Sequence, residues 1–358
     1  MKIKTISRQL LIALLCIFSA TSYAELAGKP VILVHGFDSE DLSNPTNSDS
    51  VLLRRSEDYF NDFWTSRADR HFYWSSSERV SGKIKNQMRR HFQEIEESGL
   101  CQEGCVFVTH STGDLVLRDA ISRLGQWDIN PNRVKILTVL DMAGAGGGTE
   151  LADLALVVSY GTFILPLPVT AAVSLYIGFI PTPNNLGVLH DLRPSNARDI
   201  AQQAQAIPRL RFVGTGEGAG DGFLRGLGDG VVPLHSACGA SSQQTIYSCA
   251  SELTNYGVIL TNTNAPDIGP SGFLFNHFPV LMGERVDHSQ VINADRVGGF
   301  YVPVVNNVDI NGFDVNFNEA VNVFDFSQGL GVRYLVNSDE KPMSQHVFDT
   351  LNQTADVN

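Results

Sequence analysis

Cysteine is scarce in this chain, and basic side chains are outnumbered. Its 358 residues include five cysteines, and 26 lysines and arginines face 38 aspartates and glutamates, a net charge of −12. A balance of that sign leaves no electrostatic footprint for nucleic acid. It also repels anionic membrane surfaces unless something apolar does the anchoring. No histidine stands at finger-like spacing from the cysteines, so a zinc site is a weak rival to disulfides. No internal repeat or low-complexity tract is visible, which sets solenoid and fibrous classes aside.

What is present begins with a leader. Lys2, Lys4 and Arg8 precede the apolar run LLIALLCIFSA, and Ser22 and Ala24 supply small residues at −3 and −1 of a cut after Ala24. That is the pattern of a secretory signal peptide, residues 1–24, and it implies a secreted or periplasmic protein. The run is short for a retained membrane anchor. Cys16 follows Leu14 and Leu15, not the small residues a lipoprotein site needs. Cleavage removes three basic groups and no acid, taking the net charge from −12 to −15. It leaves Cys101, Cys105, Cys238 and Cys249, and 101–105 with 238–249 is the simplest of three connectivities.

Short apolar runs then alternate with amphipathic ones. Pro30–His35, His71–Ser75, Cys105–Thr109, Val134–Leu140 and Arg209–Gly214 read as strands, with a less clear one near Phe278–Met282. Leu52–Trp64, Arg79–Ser98 and Gly113–Leu124 read as helices, the second with Val80, Ile84, Met88, Phe92 and Ile95 on one face and Gly99 ending it. Such alternation specifies a doubly wound, mostly parallel sheet. Between Thr149 and Arg193 the pattern breaks, and Leu154–Leu189 contains no Asp, Glu, Lys or Arg. Three readings compete for this insertion: a lid over the site, a fully buried helix pair, and a membrane span, which Pro166 and Pro168 would interrupt. Beyond Gly299 come short β-like runs, and the last residues are expected to fray. The organisation is thus a signal peptide, a main domain over 25–298 with the insertion at about 149–193, and a C-terminal extension over 299–358.

The strongest chemical signal is Val108-Thr-His-Ser-Thr-Gly113 at a strand-to-helix junction. A serine on such a turn is lifted clear of the sheet beside the first amides of a helix, which favour negative charge. The pattern departs from G-x-S-x-G in having Thr109 for the first glycine. The plain alternative is a helix-capping serine. His35-Gly36-Phe37, about 75 residues earlier, supplies the complementary loop. An oxyanion needs two donors, here the amides of Phe37 and Thr112. His35 precedes the serine and therefore reads as structural.

The acid follows a late strand. Asp229, in Gly-Asp-Gly-Val-Val-Pro-Leu, leads over Asp221, and either also suits a turn aspartate bonded to its own backbone. The base lies further on. His288 in Val-Asp-His-Ser-Gln leads over His277. His235 is too near Asp229, and His346 falls in the expected tail.

The segments HGF, VTHSTGDLVLRDAI, GGTELADL, HDLRPS and DGVVP, in that order, resemble the bacterial lipase and esterase branch of the α/β-hydrolases, which includes relatives of inositol-deacylase-type acyl hydrolases. The similarity spans most of residues 30–295. It implies an α/β-hydrolase fold with a lid or cap, Ser111, Asp229 and His288 as catalytic triad, Phe37 and Thr112 as oxyanion hole, and no cofactor. The implied partners are lipid or other acyl-ester substrates, with lipid contact through the lid. Some such lipases hold a structural Ca²⁺ near the histidine loop, for which Asp287 and Gln290 are candidates. Two departures stand out: Asp114 where a second glycine is usual, and Ala143-Gly-Ala-Gly-Gly-Gly148 where Pro-His is typical. An acyltransferase or thioesterase shares the machinery, and an inactive hydrolase-fold binding module is the rival from another class.

Overall fold

The computed structural model describes residues 26–161, 167–201, 206–216, 218, 220–244, 273–293, 297–301, 307–310, 313–316, 320–325 and 330–353. The expected leader, Cys249 and the last five residues lie outside them.

Nine strands form one sheet. In chain order they are β1 (Val31–Val34), β2 (Arg70–Phe72), β3 (Cys105–His110), β4 (Ile136–Met142), β5 (Arg209–Thr215), β6 (His277–Glu284), β7 (Phe300–Tyr301), β10 (Ala320–Asp325) and β11 (Leu330–Leu335); β8 (Asn307–Ile310) and β9 (Phe313–Asn316) pair separately. The spatial order is β10-β11-β7-β6-β5-β4-β3-β1-β2. From β2 to β6 every neighbour is parallel, and β7, β11 and β10 continue the sheet antiparallel. The C-terminal β-like runs therefore include strands hydrogen-bonded into the same sheet as the core.

Parallel strands are buried on both faces, and these sequences alternate accordingly. Ile32, Val34, Phe107 and Val139 face one apolar cluster with Met88, Phe92 and Leu115. Val31, Leu33, Val106, Val108, Leu140, Leu210 and Phe212 face the other, with Trp64 and Met343. The first cluster is closed by α2 (Lys85–Ser98) and α3 (Thr112–Ser122). The second is closed by α7 (Met343–Gln353), whose Met343, Val347 and Leu351 are buried. His346 thus sits in a docked helix and is buried, a correction to its expected place in a loose tail.

Two helices are shorter than their apolar spacing suggested. The run from Arg79 is interrupted at Gly82 (φ −96°, ψ −121°), and regular helix begins at Lys85. The segment Leu52–Trp64 is divided: α1 covers Asp49–Tyr59, Phe60 is extended, and Asn61 caps a new turn by accepting from the Trp64 amide. Side-chain capping at Asn61 outcompetes helix continuation there. Gly99 does end α2, in the left-handed conformation at φ 70°.

The insertion folds as α4 (Glu150–Tyr160) and α5 (Leu167–Ile177), followed by α6 (Pro194–Ala201). Leu151, Ala152, Ala155, Val173 and Ile177 are buried, yet Tyr160 and Ile180 are 56% and 60% exposed. It is therefore not a wholly buried helix pair. Among the described residues no helix is long and apolar enough to cross a membrane. Cys101 and Cys105 form a disulfide. Cys238 is disulfide-bonded too, and its expected partner Cys249 lies outside the described residues.

Phe107 anchors the first cluster on the central strand. Its ring meets Phe72 edge-on at 5.4 Å and stacks near Phe92 at 5.9 Å. Phe107→Ala is expected to lower unfolding free energy by about 3–5 kcal/mol. Urea denaturation checks this, and a loss below about 1 kcal/mol would contradict the packing described.

Candidate active site

Ser111 stands between β3 and α3 with φ 55° and ψ −126°. Positive φ is uncommon for a residue with a Cβ, and holding one costs on the order of 1–3 kcal/mol. Surrounding bonds fix the turn. Ser111 N–H donates to Met142 O (3.2 Å), while Ala145 N–H donates to Ser111 O (2.8 Å). The close approach also needs small neighbours. A Cβ at Gly113 would lie 2.4 Å from Val34 O and 2.6 Å from His35 O, so α3 can cross the end of β1 only with glycine there.

The acid and base candidates arrive from the ends of β5 and β6. Asp229 is buried and divides its carboxylate between two tasks. Oδ1 accepts the amides of Val231 (3.0 Å) and Val232 (2.7 Å), and Oδ2 meets His288 Nδ1 at 2.8 Å. One oxygen thus serves the turn and the other the histidine. His288 N–H also donates to Asp229 O at 2.9 Å, locking the two loops together. One cavity of about 380 Å³ is lined by Ser111, Asp229, His288, Phe37, Tyr59 and Tyr176, among others. A bond from Ser111 Oγ to the His288 ring is not among the hydrogen bonds of the described residues. Such contacts tighten when substrate is bound. Phe37 stacks on Tyr176 of α5 at 5.6 Å, so the insertion reaches the cavity. Thr112 is buried at the first position of α3.

The competing candidates are placed elsewhere. Asp221 accepts the Gly218 amide (2.7 Å) within a turn. His277 is buried at the start of β6, bonded to Phe275 O and Arg118. His235 lies between Arg198 and Glu150. His35 is structural: its Nε2 accepts the Trp74 amide (3.1 Å), so Nδ1 donates to Gly36 O (2.8 Å), and the ring stacks on Trp74. Burial pulls it down to about 4, so the ring is neutral near pH 7.

Both departures from the glycine-rich elbow are explained by one buried ionic network. Thr109, Asp141 and Arg211 lie in register across β3, β4 and β5. The Thr109 hydroxyl donates to Asp141, and Arg211 and Arg209 donate to Asp114 at 2.7 and 2.8 Å. Asp114 Oδ2 also accepts the Gly146 amide at 2.9 Å, tying α3 to the 143–148 turn. The glycines of that turn leave no room for a side chain: a Cβ at Gly146 would lie 2.4 Å from Asp114 Oδ2. Burial alone raises the Asp114 carboxyl. The Arg211 and Arg209 charges outweigh it and hold the group below its usual value. Burial and the Asp114 charge push Asp141 upward. Sequence reading took Arg209-Leu-Arg211 only as strand. The signal was two like charges two residues apart on an otherwise buried strand, which places both on one face.

No group of three or more His, Cys, Asp or Glu arranged for a metal occurs among the described residues. Asp287 Oδ1 accepts from Ser289 N, Ser289 Oγ and Gln290 N, and Gln290 Oε1 accepts from Asp287 N. Both ligand candidates for a Ca²⁺ thus take part in one local turn.

Strand order, parallel core, elbow after β3, and acid and histidine loops after β5 and β6 define an α/β-hydrolase fold. Solved structures similar to this chain include lipases and a carboxyl esterase. Bacillus licheniformis lipase BlEst2 in mature form is 15% identical over 60% of this chain and 80% of that one, with a TM-score of 0.39. Staphylococcus hyicus lipase is 12% identical over 74% and 88%, at 0.38. The metagenomic carboxyl esterase MGS0156 is 14% identical over 58% and 59%, at 0.36. No protein-family model and no curated protein matches the sequence.

Asp114→Asn removes the charge that Arg209 and Arg211 share, leaving buried cations short of an anion. Breaking such a pair typically costs about 3–5 kcal/mol. Thermal unfolding should register a loss of that size, and unchanged stability would contradict the network's role.

Proposed function

We propose that the protein is an exported serine carboxylic-ester hydrolase of lipase type. The observation carrying this reading is the short bond between Asp229 Oδ2 and His288 Nδ1 in the cavity that the strained Ser111 also lines. The Asp229 carboxylate keeps the proton on Nδ1, which leaves Nε2 as the basic nitrogen. That nitrogen takes the Ser111 proton as Oγ attacks the ester carbonyl. The Phe37 and Thr112 amides receive the developing oxyanion, and His288 returns the proton to the departing alcohol. Water, activated by the same nitrogen, then releases the acid.

Lipid as substrate class is supported by the insertion. It carries no charge from Leu154 to Leu189, exposes Val157, Tyr160 and Ile180, and delivers Tyr176 to the cavity. Such a surface is stable against lipid and costly in water. The acidic remainder of the chain would otherwise avoid anionic membranes.

Ser111→Ala should reduce hydrolysis of p-nitrophenyl esters by at least about 10⁴-fold, with His288→Ala similar and Asp229→Asn somewhat less affected. Wild-type rates in Ser111→Ala would remove the assignment. Replacing Val157, Tyr160 and Ile180 by serine should flatten the rise in activity once long-chain ester exceeds its solubility, while sparing short soluble esters. Equal losses on both substrate types would argue against a lipid-facing insertion.

A further inference from the structure

The residue before the serine makes contacts that the triad does not use. His110 is buried, and its two ring nitrogens face different partners. Nδ1 lies 2.5 Å from the Tyr59 hydroxyl, and Nε2 lies 2.9 Å from the backbone carbonyl oxygen of His288. A carbonyl only accepts, so Nε2 carries the proton. Burial, reinforced by the nearby His288, holds His110 well below its ordinary value, so the ring is neutral and Nδ1 is a free acceptor. The Tyr59 hydroxyl therefore donates to Nδ1. Burial raises the tyrosine as well, which keeps that proton in place.

The chain of donors thus has a fixed direction, from Tyr59 through His110 to the His288 carbonyl. Its two ends lie at the reacting groups. Tyr59 lines the cavity with Ser111, and its hydroxyl lies against Gly36. The approach is close enough that a Cβ on Gly36 would come within 2.1 Å of the Tyr59 oxygen and 2.7 Å of Ser111 Cβ. At the other end the His110 and His288 rings lie 4.5 Å apart. His288 is held to Asp229 through its ring and its amide, and His110 supplies the hold on its carbonyl.

We propose that His110 is a positioning residue: oriented by Tyr59, it sets the height of the His288 loop relative to Ser111, which adjoins it in the chain. Because His110 and Ser111 are consecutive, the serine and the histidine loop are referenced to one rigid point. The proposal rests on the triad reading in which His288 is the base. A displacement of about 1 Å between reacting groups can cost on the order of 10²-fold in rate.

The test measures kcat and KM separately on a short soluble p-nitrophenyl ester, with thermal stability followed alongside. His110→Ala is expected to lower kcat by about 10- to 100-fold with KM little changed. His110→Gln, which restores an N–H donor near the position of Nε2, is expected to recover most of that loss. Wild-type kcat in His110→Ala, or a His110→Gln variant as slow as His110→Ala, would overturn the positioning role. If His110→Ala does not fold, Tyr59→Phe decides: a lowered kcat supports the relay, and wild-type kcat overturns it. His288→Ala is assayed in parallel. Activity retained there overturns the triad reading and this one with it. Activity lost there, beside wild-type rates in His110→Ala, overturns the positioning role alone.

Discussion

A single backbone conformation governs the site. Ser111 at φ 55° is bent out of the sheet on a turn that a side-chain-bearing residue adopts only under constraint. That constraint comes from both sides. Met142 and Ala145 hold its peptide groups, Gly113 lets α3 descend onto the end of β1, and Gly36 lets Tyr59 and Ser111 meet. The surrounding structure holds the strain and places the serine against the cavity at the start of a helix, where negative charge is favoured.

The ionic network beneath the elbow takes over work that glycines perform in the usual motif. Thr109 and Asp114 each occupy a position where the pattern expects a glycine. Both are accommodated because Asp141, Arg209 and Arg211 complete a buried, charge-assisted lattice across three adjacent strands. Burying these charges is costly unless each is paired. The pairing explains why the substitutions stand together with two arginines on β5 and a glycine-rich turn after β4.

Much of this was legible in the sequence, for physical reasons. Apolar strands buried on both faces read as unbroken runs, so β1 and β3 were placed to within one residue, and β4 and β5, whose runs hold polar or charged residues, to within two. The strand-to-helix context picked out Ser111, and turn chemistry picked out Asp229. His288 was chosen over His277 because a polar turn, not a strand edge, frees a side chain to move between loops. What sequence did not reveal depends on three-dimensional neighbours. The breaks at Gly82 and Asn61 arise from local capping and backbone choice inside apparently periodic helices. The Arg209–Asp114–Arg211 lattice and the Tyr59–His110 contact join residues roughly 50 to 100 positions apart, which no spacing rule connects. Docking of the last helix depended on Met343, Val347 and Leu351 finding the second apolar cluster.

The most direct measurement is the site of covalent capture by a fluorophosphonate. After reaction of the purified protein and tryptic digestion, mass spectrometry should place a single phosphonyl group on Ser111, within the peptide His91–Arg118, in step with loss of esterase activity. An adduct at any other residue, or full inactivation with that peptide unmodified, would contradict Ser111 as the nucleophile.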